Sequence, residues 1–281
     1  MINDTYTLSN GVSIPKLAFG TWQISKDDIV HSVKDALDVG YRHIDTAIAY
    51  ENEEGIGTAI RESDVDRKDV FLTTKIPADV KTYEDTRSAI EGSLNRLGTE
   101  YIDLLLIHSP KPWPEVFAHS EKTYFEENLA VWKALEEAYA AGTVRAIGVS
   151  NFEIPDLENL LDNAEVAPMV NQVRVHIGHT PEEMIQFCQS RGILVEAFSP
   201  NATGKLAGHE DIVRMAEKYG VSVPQLIIRY DLQLGVLPLP KSTHREHMAQ
   251  NADVNFTISD DDMAALRAVP EISSLPEQNK K

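Results

Sequence analysis

The sequence predicts an α/β protein, a (β/α)8 TIM barrel with an N-terminal β-hairpin and a short C-terminal tail, and three observations carry the prediction. Eight short apolar runs alternate with longer amphipathic stretches. No linker or low-complexity segment interrupts them across 281 residues, a length that suits one such barrel, so residues 1–281 are read as a single domain. Asp45, Tyr50, Lys75 and His108 each fall at or just past the end of a predicted strand in successive strand-helix units, which is where a barrel assembles a site.

The opening stands apart from the repeats. Tyr6 to Ser9, Asn10-Gly11 and Val12 to Ile14 read as a hairpin with a two-residue turn whose glycine tolerates positive φ. The strand runs then come in order: Leu17 to Gly20, His43 to Asp45, Val70 to Lys75, Ile102 to His108, Ala146 to Ser150, Met169 to Gln172, Ile193 to Phe198 and Val236 to Leu239. Helical periodicity fills the gaps, for example over Asp27 to Val39, Thr86 to Leu97, Leu129 to Ala141 and Glu182 to Gln189, the last entered through Thr180-Pro181. A Rossmann domain needs a Gly-x-Gly-x-x-Gly turn after its first strand, and the chain has none; Gly55 and Gly57 follow Glu53-Glu54 in a helix start.

Composition narrows the partners. A 42% hydrophobic share supports a sizeable core, and 25% charged residues with 7% aromatics describe a folded chain. The formal net charge of -18, without a basic stripe, argues against nucleic acid or an anionic membrane as partner. The first six residues lack a basic region followed by an apolar run, and no later stretch could span a bilayer, so a cytoplasmic location is expected. The lone Cys188 excludes an intramolecular disulfide and lies in a helical pattern as a small core residue.

The four strand-end residues could act together. Tyrosine is a weak acid with a pKa near 10, and a nearby ammonium favours its phenolate. Lys75 could be that ammonium, with Asp45 as its counter-charge, while His108 could hold a substrate oxygen. The set would deliver a proton to a developing alkoxide. Each residue alone has a structural explanation, as a cap, a packed ring or a snorkelling amine. A metal-dependent hydrolase would want several converging ligands; His43-x-Asp45 and His108 are too few, so no metal is expected, and Asp103 points away from the mouth if His108 faces it. His176, His179, His209, His244 and His247 read as solvated loop or helix-start residues, and Glu51 to Glu54 as a charge cluster at a helix N-terminus.

Several segments together make the chain resemble the aldo-keto reductases, and within them the bacterial and yeast small-aldehyde and diketogluconate reductase-like members. They are Gly40-Tyr41-Arg42-His43-Ile44-Asp45-Thr46-Ala47 with Tyr50 and Glu53 to Gly57, Thr74-Lys75, Leu106-Ile107-His108, Gly148-Val149-Ser150-Asn151-Phe152, Asn171-Gln172 and Pro240-Lys241-Ser242. The resemblance implies reduction of aldehydes or ketones to alcohols by a reduced nicotinamide cofactor, without metal. It makes Tyr50 the general acid, His108 the residue that orients the carbonyl, and Lys75 with Asp45 the pair that tunes the tyrosine. It also implies that Ser150, Asn151 and Gln172 hold the nicotinamide carboxamide, that Phe198 stacks on the ring, that Ser199 and the loop from Asn201 to Leu206 run beside the pyrophosphate, and that Lys241 and Ser242 meet the adenosine 2'-phosphate.

Two departures bear on specificity. His247 stands where many NADPH-preferring members carry arginine, and Gln250 where they often carry glutamate, before the expected Asn251; Arg245 is near enough to compensate. NADPH is therefore the expected cofactor, with a reduced margin over NADH. Many relatives follow the histidine with tryptophan, whereas here the run is His108-Ser109-Pro110-Lys111-Pro112-Trp113-Pro114. Trp113, Trp22 and Ile48 are the expected pocket residues. The tail after Pro270 is short and polar, and with the proline-rich loop it implies an open site for small aldehydes, dicarbonyls or keto-sugars. The expected partner is thus a small carbonyl substrate, and the chain is expected to be a monomer. A second class stays open: a slow-turnover NADPH-binding regulatory subunit, which the intact catalytic set argues against.

Overall fold

The computed structural model describes residue 2 and residues 4–272; the polar tail beyond them lies outside the described residues. Its centre is an eight-stranded parallel sheet: β3 (Phe19–Gly20), β4 (His43–Asp45), β5 (Phe71–Ile76), β6 (Leu104–Ile107), β7 (Ile147–Ser150), β8 (Val170–Arg174), β9 (Leu194–Phe198) and β10 (Leu237–Pro238), adjacent in chain order. The edges of the sheet meet. Ala18 N–H donates to Pro238 O at 3.2 Å and Gly20 N–H to Pro240 O at 3.0 Å, which closes the barrel. Gly20 permits this approach, because a Cβ there would lie 3.1 Å from the Leu239 carbonyl oxygen.

The helices that surround the sheet are α1 (Ile29–Val39), α2 (Glu53–Arg61), α3 (Tyr83–Leu97), α4 (Trp113–Phe117), α5 (Phe125–Ala140), α6 (Ile154–Asn163), α7 (Glu182–Gln189), α8 (Glu210–Tyr219), α9 (Val223–Gln233), α10 (Arg245–Ala252) and α11 (Asp260–Arg267). Local chemistry starts several of them. Thr82 caps α3 by accepting from Asp85 N–H, and Ser222 with Gln225 forms a capping box on α9. Strands reading as continuous apolar runs are buried on both faces, as the all-buried β6 shows. Among the described residues no helix is long and apolar enough to cross a membrane.

The N-terminal hairpin pairs β1 (Thr5–Thr7) with β2 (Ser13–Pro15), Tyr6 opposite Ile14. Its turn is wider than the two residues expected. Gly11 N–H bonds Leu8 O at 2.8 Å and Leu8 N–H bonds Val12 O at 2.9 Å, so Ser9 to Gly11 form a three-residue loop with only the glycine left-handed (φ 85°). Asn10 Nδ2 reaches Arg145 O at 2.9 Å, which lays the hairpin across the N-terminal ends of the strands. That end is also pinned by Asp103, whose carboxylate pairs with Arg67 at 2.8 Å and Arg145 at 2.6 Å. The opposite end carries the site.

One acidic residue adds to the sequence reading. Glu53, expected in a charge cluster at a helix N-terminus, does open α2, and it is only 1% exposed there. It accepts from Thr74 Oγ1 at 2.7 Å, from Ser93 Oγ and from Arg96 Nε at 2.7 Å, joining α2 and α3 to β5. Replacing Glu53 by alanine strands those donors and should lower unfolding free energy by about 3 kcal/mol. A urea midpoint equal to that of the wild type would show that the carboxylate contributes nothing net.

Candidate active site

A buried ammonium organises the C-terminal mouth of the barrel. Lys75 lies on β5 with no exposed surface, and its three N–H groups are all used: on Asp45 Oδ1 at 2.8 Å, on Asp45 Oδ2 at 2.9 Å and on Thr46 O at 2.8 Å. Burial alone would lower its pKa, but Asp45, then Tyr50 and Glu196, outweigh that and hold the group above the ordinary lysine value. Asp45 ends β4 in register with Thr73 of β5 and Gly20 of β3, so the strand pairing itself delivers the counter-charge.

Tyr50 closes a short 3-10 turn, Ile48–Tyr50, just beyond β4. Asn52 fixes this turn: it accepts from Thr46 Oγ1 at 2.7 Å and donates to Thr21 O at 3.0 Å. The Lys75 ammonium is 5.2 Å from the Tyr50 ring centroid. Burial raises the phenol pKa, Lys75 opposes that rise, and the group remains above its ordinary value. His108 lies edge-on to Tyr50, ring centroids 5.6 Å apart. Burial, with Lys75 nearby, pushes the imidazole down to about 3, so His108 is neutral at any ordinary pH. His108 can therefore orient an oxygen but cannot supply the proton, and the phenol is left as the acid of the set.

Beside these four the strand ends gather polar groups. Ser150 Oγ donates to Gln172 O at 2.9 Å, and Asn151 Nδ2 donates to His108 O at 2.9 Å and to Ser150 Oγ at 3.0 Å. Asn151 and Ser199 are left-handed (φ 60° and 51°), which sends the chain sharply away from the strand ends β7 and β9. Phe198, half-buried at the end of β9, packs against the core, and residues 202–208 form a 3-10 segment in which Thr203 and Gly204 break helical geometry. Ile48 is half-buried, while Trp22 beyond β3 is 42% exposed. Trp113 stands edge-on to His108 at 5.3 Å and stacks on Phe117 at 6.1 Å, so the displaced indole is back beside the histidine.

A family model described as "Aldo/keto reductase family" matches residues 16–271. The chain belongs to the aldo/keto reductase family. It is 42% identical to a Bacillus subtilis protein named glyoxal reductase, over 95% of this chain and 93% of that one. It is 36% identical to aldehyde reductase YPR1 of Saccharomyces cerevisiae, over 95% and 91%. Among solved structures, the Bombyx mori aldo-keto reductase in complex with NADP matches with a TM-score of 0.84 at 33% identity, covering 95% of this chain and 92% of that one.

The more distant part of this aldo-keto reductase's site is less tidy. Lys241 is exposed and Ser242 half-buried, with Ser242 Oγ bonded to the backbone of His244. Arg245 is directed elsewhere: its Nη1 lies 3.1 Å from Asp35 and 3.0 Å from Asp38 of α1. His247 and Gln250 are exposed, His247 packs against His244 at 5.2 Å, and Asn251 is buried. Sequence reasoning missed Glu196, fully buried on β9, and Gln172 donates to it at 2.8 Å. A charged residue inside a strand with no solvent face was the available signal. It also misread His176, which has no exposed surface. Among the described residues no three His, Cys, Asp or Glu side chains cluster so as to hold a metal.

Two buried imidazoles give a pH signature. His43, bonded to Thr73 Oγ1 at 2.8 Å, is pushed by burial to about 3, as is His108. Both folded values lie below the unfolded one, so their stabilisation is complete above pH 6.5 and is lost as pH falls toward 3, by about 1.4 kcal/mol per pH unit for each ring. Glu196, raised to about 8, works in the opposite sense between about 4.5 and 8. Urea unfolding of wild type and His43→Gln from pH 7.5 to 5 isolates the ring: the variant should fall less steeply below pH 6.5, and parallel curves would refute the buried neutral histidine.

Proposed function

We propose that this protein is a single-domain NADPH-dependent reductase of small aldehydes, dicarbonyls or keto-sugars, with Tyr50 as its general acid. The observation that carries the reading is the Lys75 ammonium, chelated by Asp45 and set against the Tyr50 ring. The cofactor, when bound, supplies the hydride that reduces the carbonyl carbon. The polar set fits such a group: Ser150, Asn151 and Gln172 present amide and hydroxyl groups at adjacent strand ends, Phe198 offers an aromatic face, and Asn201 keeps a buried Oδ1 without a partner among the described residues.

The chain's own residues handle the proton. As negative charge builds on the carbonyl oxygen, the Tyr50 O–H transfers its proton to it. The phenolate left behind is stabilised by Lys75, which remains an ammonium because Asp45 keeps it so. Neutral His108 holds the oxygen within reach, and Trp113 and Trp22 bound the space in which a small substrate sits. In an assay of reduced-nicotinamide consumption with a small aldehyde panel, Tyr50→Phe should lose at least about 100-fold in kcat with NADPH affinity unchanged. Equal rates for both proteins, or tight NADPH binding without turnover, would overturn the reductase reading.

Cofactor choice follows from Arg245. Two carboxylates engage its guanidinium and His247 carries no permanent charge, which leaves Lys241 as the cation for a 2'-phosphate. NADPH is preferred by a narrow margin and NADH is used. Asp35→Asn with Asp38→Asn frees Arg245, and the ratio of kcat/KM for NADPH over NADH should rise about tenfold. No change in that ratio would show that the arginine cannot reach the phosphate.

A further inference from the structure

Glu196 has no part in the proton transfer, yet it lies in the same polar layer. It pairs in register with Gln172 across β8 and β9 and has no exposed surface. The two hydrogens of the Gln172 amide are both committed, one to Asp45 Oδ2 at 2.9 Å and one to Glu196 Oε2 at 2.8 Å. The reversed amide would press its carbonyl oxygen against the Asp45 carboxylate, whose oxygens accept from Lys75. With its N–H groups used, Gln172 has only its carbonyl oxygen to offer a ligand.

The fold itself gains little from Glu196. Its Oε1 has no hydrogen-bond partner among the described residues, and a buried orphan oxygen costs stability. Burial, aided by the Asp45 charge, pushes the carboxyl up to about 8, so the neutral acid dominates near pH 7 and still accepts from Gln172 through its carbonyl oxygen. A side chain that is costly to bury and tied to a site residue has its explanation in the site.

We infer that Glu196 is a positioning residue: together with Asp45 it locks Gln172 as a pure acceptor, so that the site selects a nicotinamide carboxamide, an N–H donor, over a carboxylate at the same position. The inference rests on the reading of Gln172 as a nicotinamide contact. In Glu196→Met one amide hydrogen is released while Asp45 still holds the other, so Gln172 gains an N–H to offer a ligand and is no longer a pure acceptor.

The test measures dissociation constants by fluorescence titration for NADPH, for NADP and for the nicotinic acid analogue of NADP, which carries a carboxylate in place of the carboxamide. Thermal unfolding of each protein is recorded alongside. Wild type should bind NADP more tightly than the acid analogue. Glu196→Met should weaken NADPH binding about tenfold and narrow the amide-to-acid ratio, with a Tm equal to or above that of the wild type. Glu196→Gln keeps an acceptor and should remain within about threefold of the wild type. Unchanged NADPH affinity and ratio in Glu196→Met, or a loss matched by a fall in Tm, would overturn the inference while leaving the reductase reading intact. A tenfold loss in Glu196→Gln would overturn it as well, and covers the case in which Glu196→Met does not fold. If the wild type bound no NADPH, the reading of the site itself would fail, and the inference with it.

Discussion

The structure depends on one buried cation. An ammonium removed from water is tolerated only if every N–H finds an acceptor and the charge finds a partner, and Lys75 meets both conditions with Asp45 and Thr46 O. This requirement propagates. Asp45 must sit at the end of β4, so β4 and β5 must pair in the register that sets Asp45 beside Thr73. The second Asp45 oxygen then attracts the Gln172 amide, and that amide reaches Glu196, so a polar chain crosses the barrel from β5 to β9. Leucines and isoleucines of β6 and neighbouring strands, all buried, supply the apolar packing that this layer gives up.

The same cation sorts the protonation states around it. It opposes the rise that burial imposes on the Tyr50 phenol and adds to the fall that burial imposes on His108. Burial and this one charge thus act together on two rings whose centroids are 5.6 Å apart. Moving Lys75 by one residue along β5 would turn it to the other face of the strand and undo both effects. That explains why a costly buried pair stands in the mouth of the barrel, where apolar side chains would give comparable stability.

Much of this was legible in the sequence, for a physical reason. A parallel strand buried on both faces writes itself as an apolar run, so Leu104–Ile107 stands out as a strand, and the ends of the other strands lie within a few positions of those expected. The helix Glu182–Gln189 was read as it stands because its apolar period is clean. What resisted were residues whose environment is set by distant chain. Glu53 looks like one of several acids at a helix start, and only the approach of Ser93 and Arg96 from α3 buries it. Glu196 was read as part of a strand without the further step: an acid in a strand that sees no solvent must face the lumen and find a partner there. The hairpin turn was misjudged because Asn-Gly suits both a two-residue turn and the last two positions of a three-residue one.

Arg245 marks the limit of local reading most clearly. Its position at the start of α10 suits a phosphate contact, but its direction is decided by α1, which packs against α10 and presents Asp35 and Asp38. In a chain of net charge -18 the long-range field opposes a polyanionic ligand, yet that field is screened over about 10 Å at 0.1 M salt. Recognition of a phosphate is therefore settled within a few ångströms, by which cations are free of carboxylates. Arg245 is already held by two. A surface acid on one helix can in this way tune the ligand preference of the next without touching the ligand.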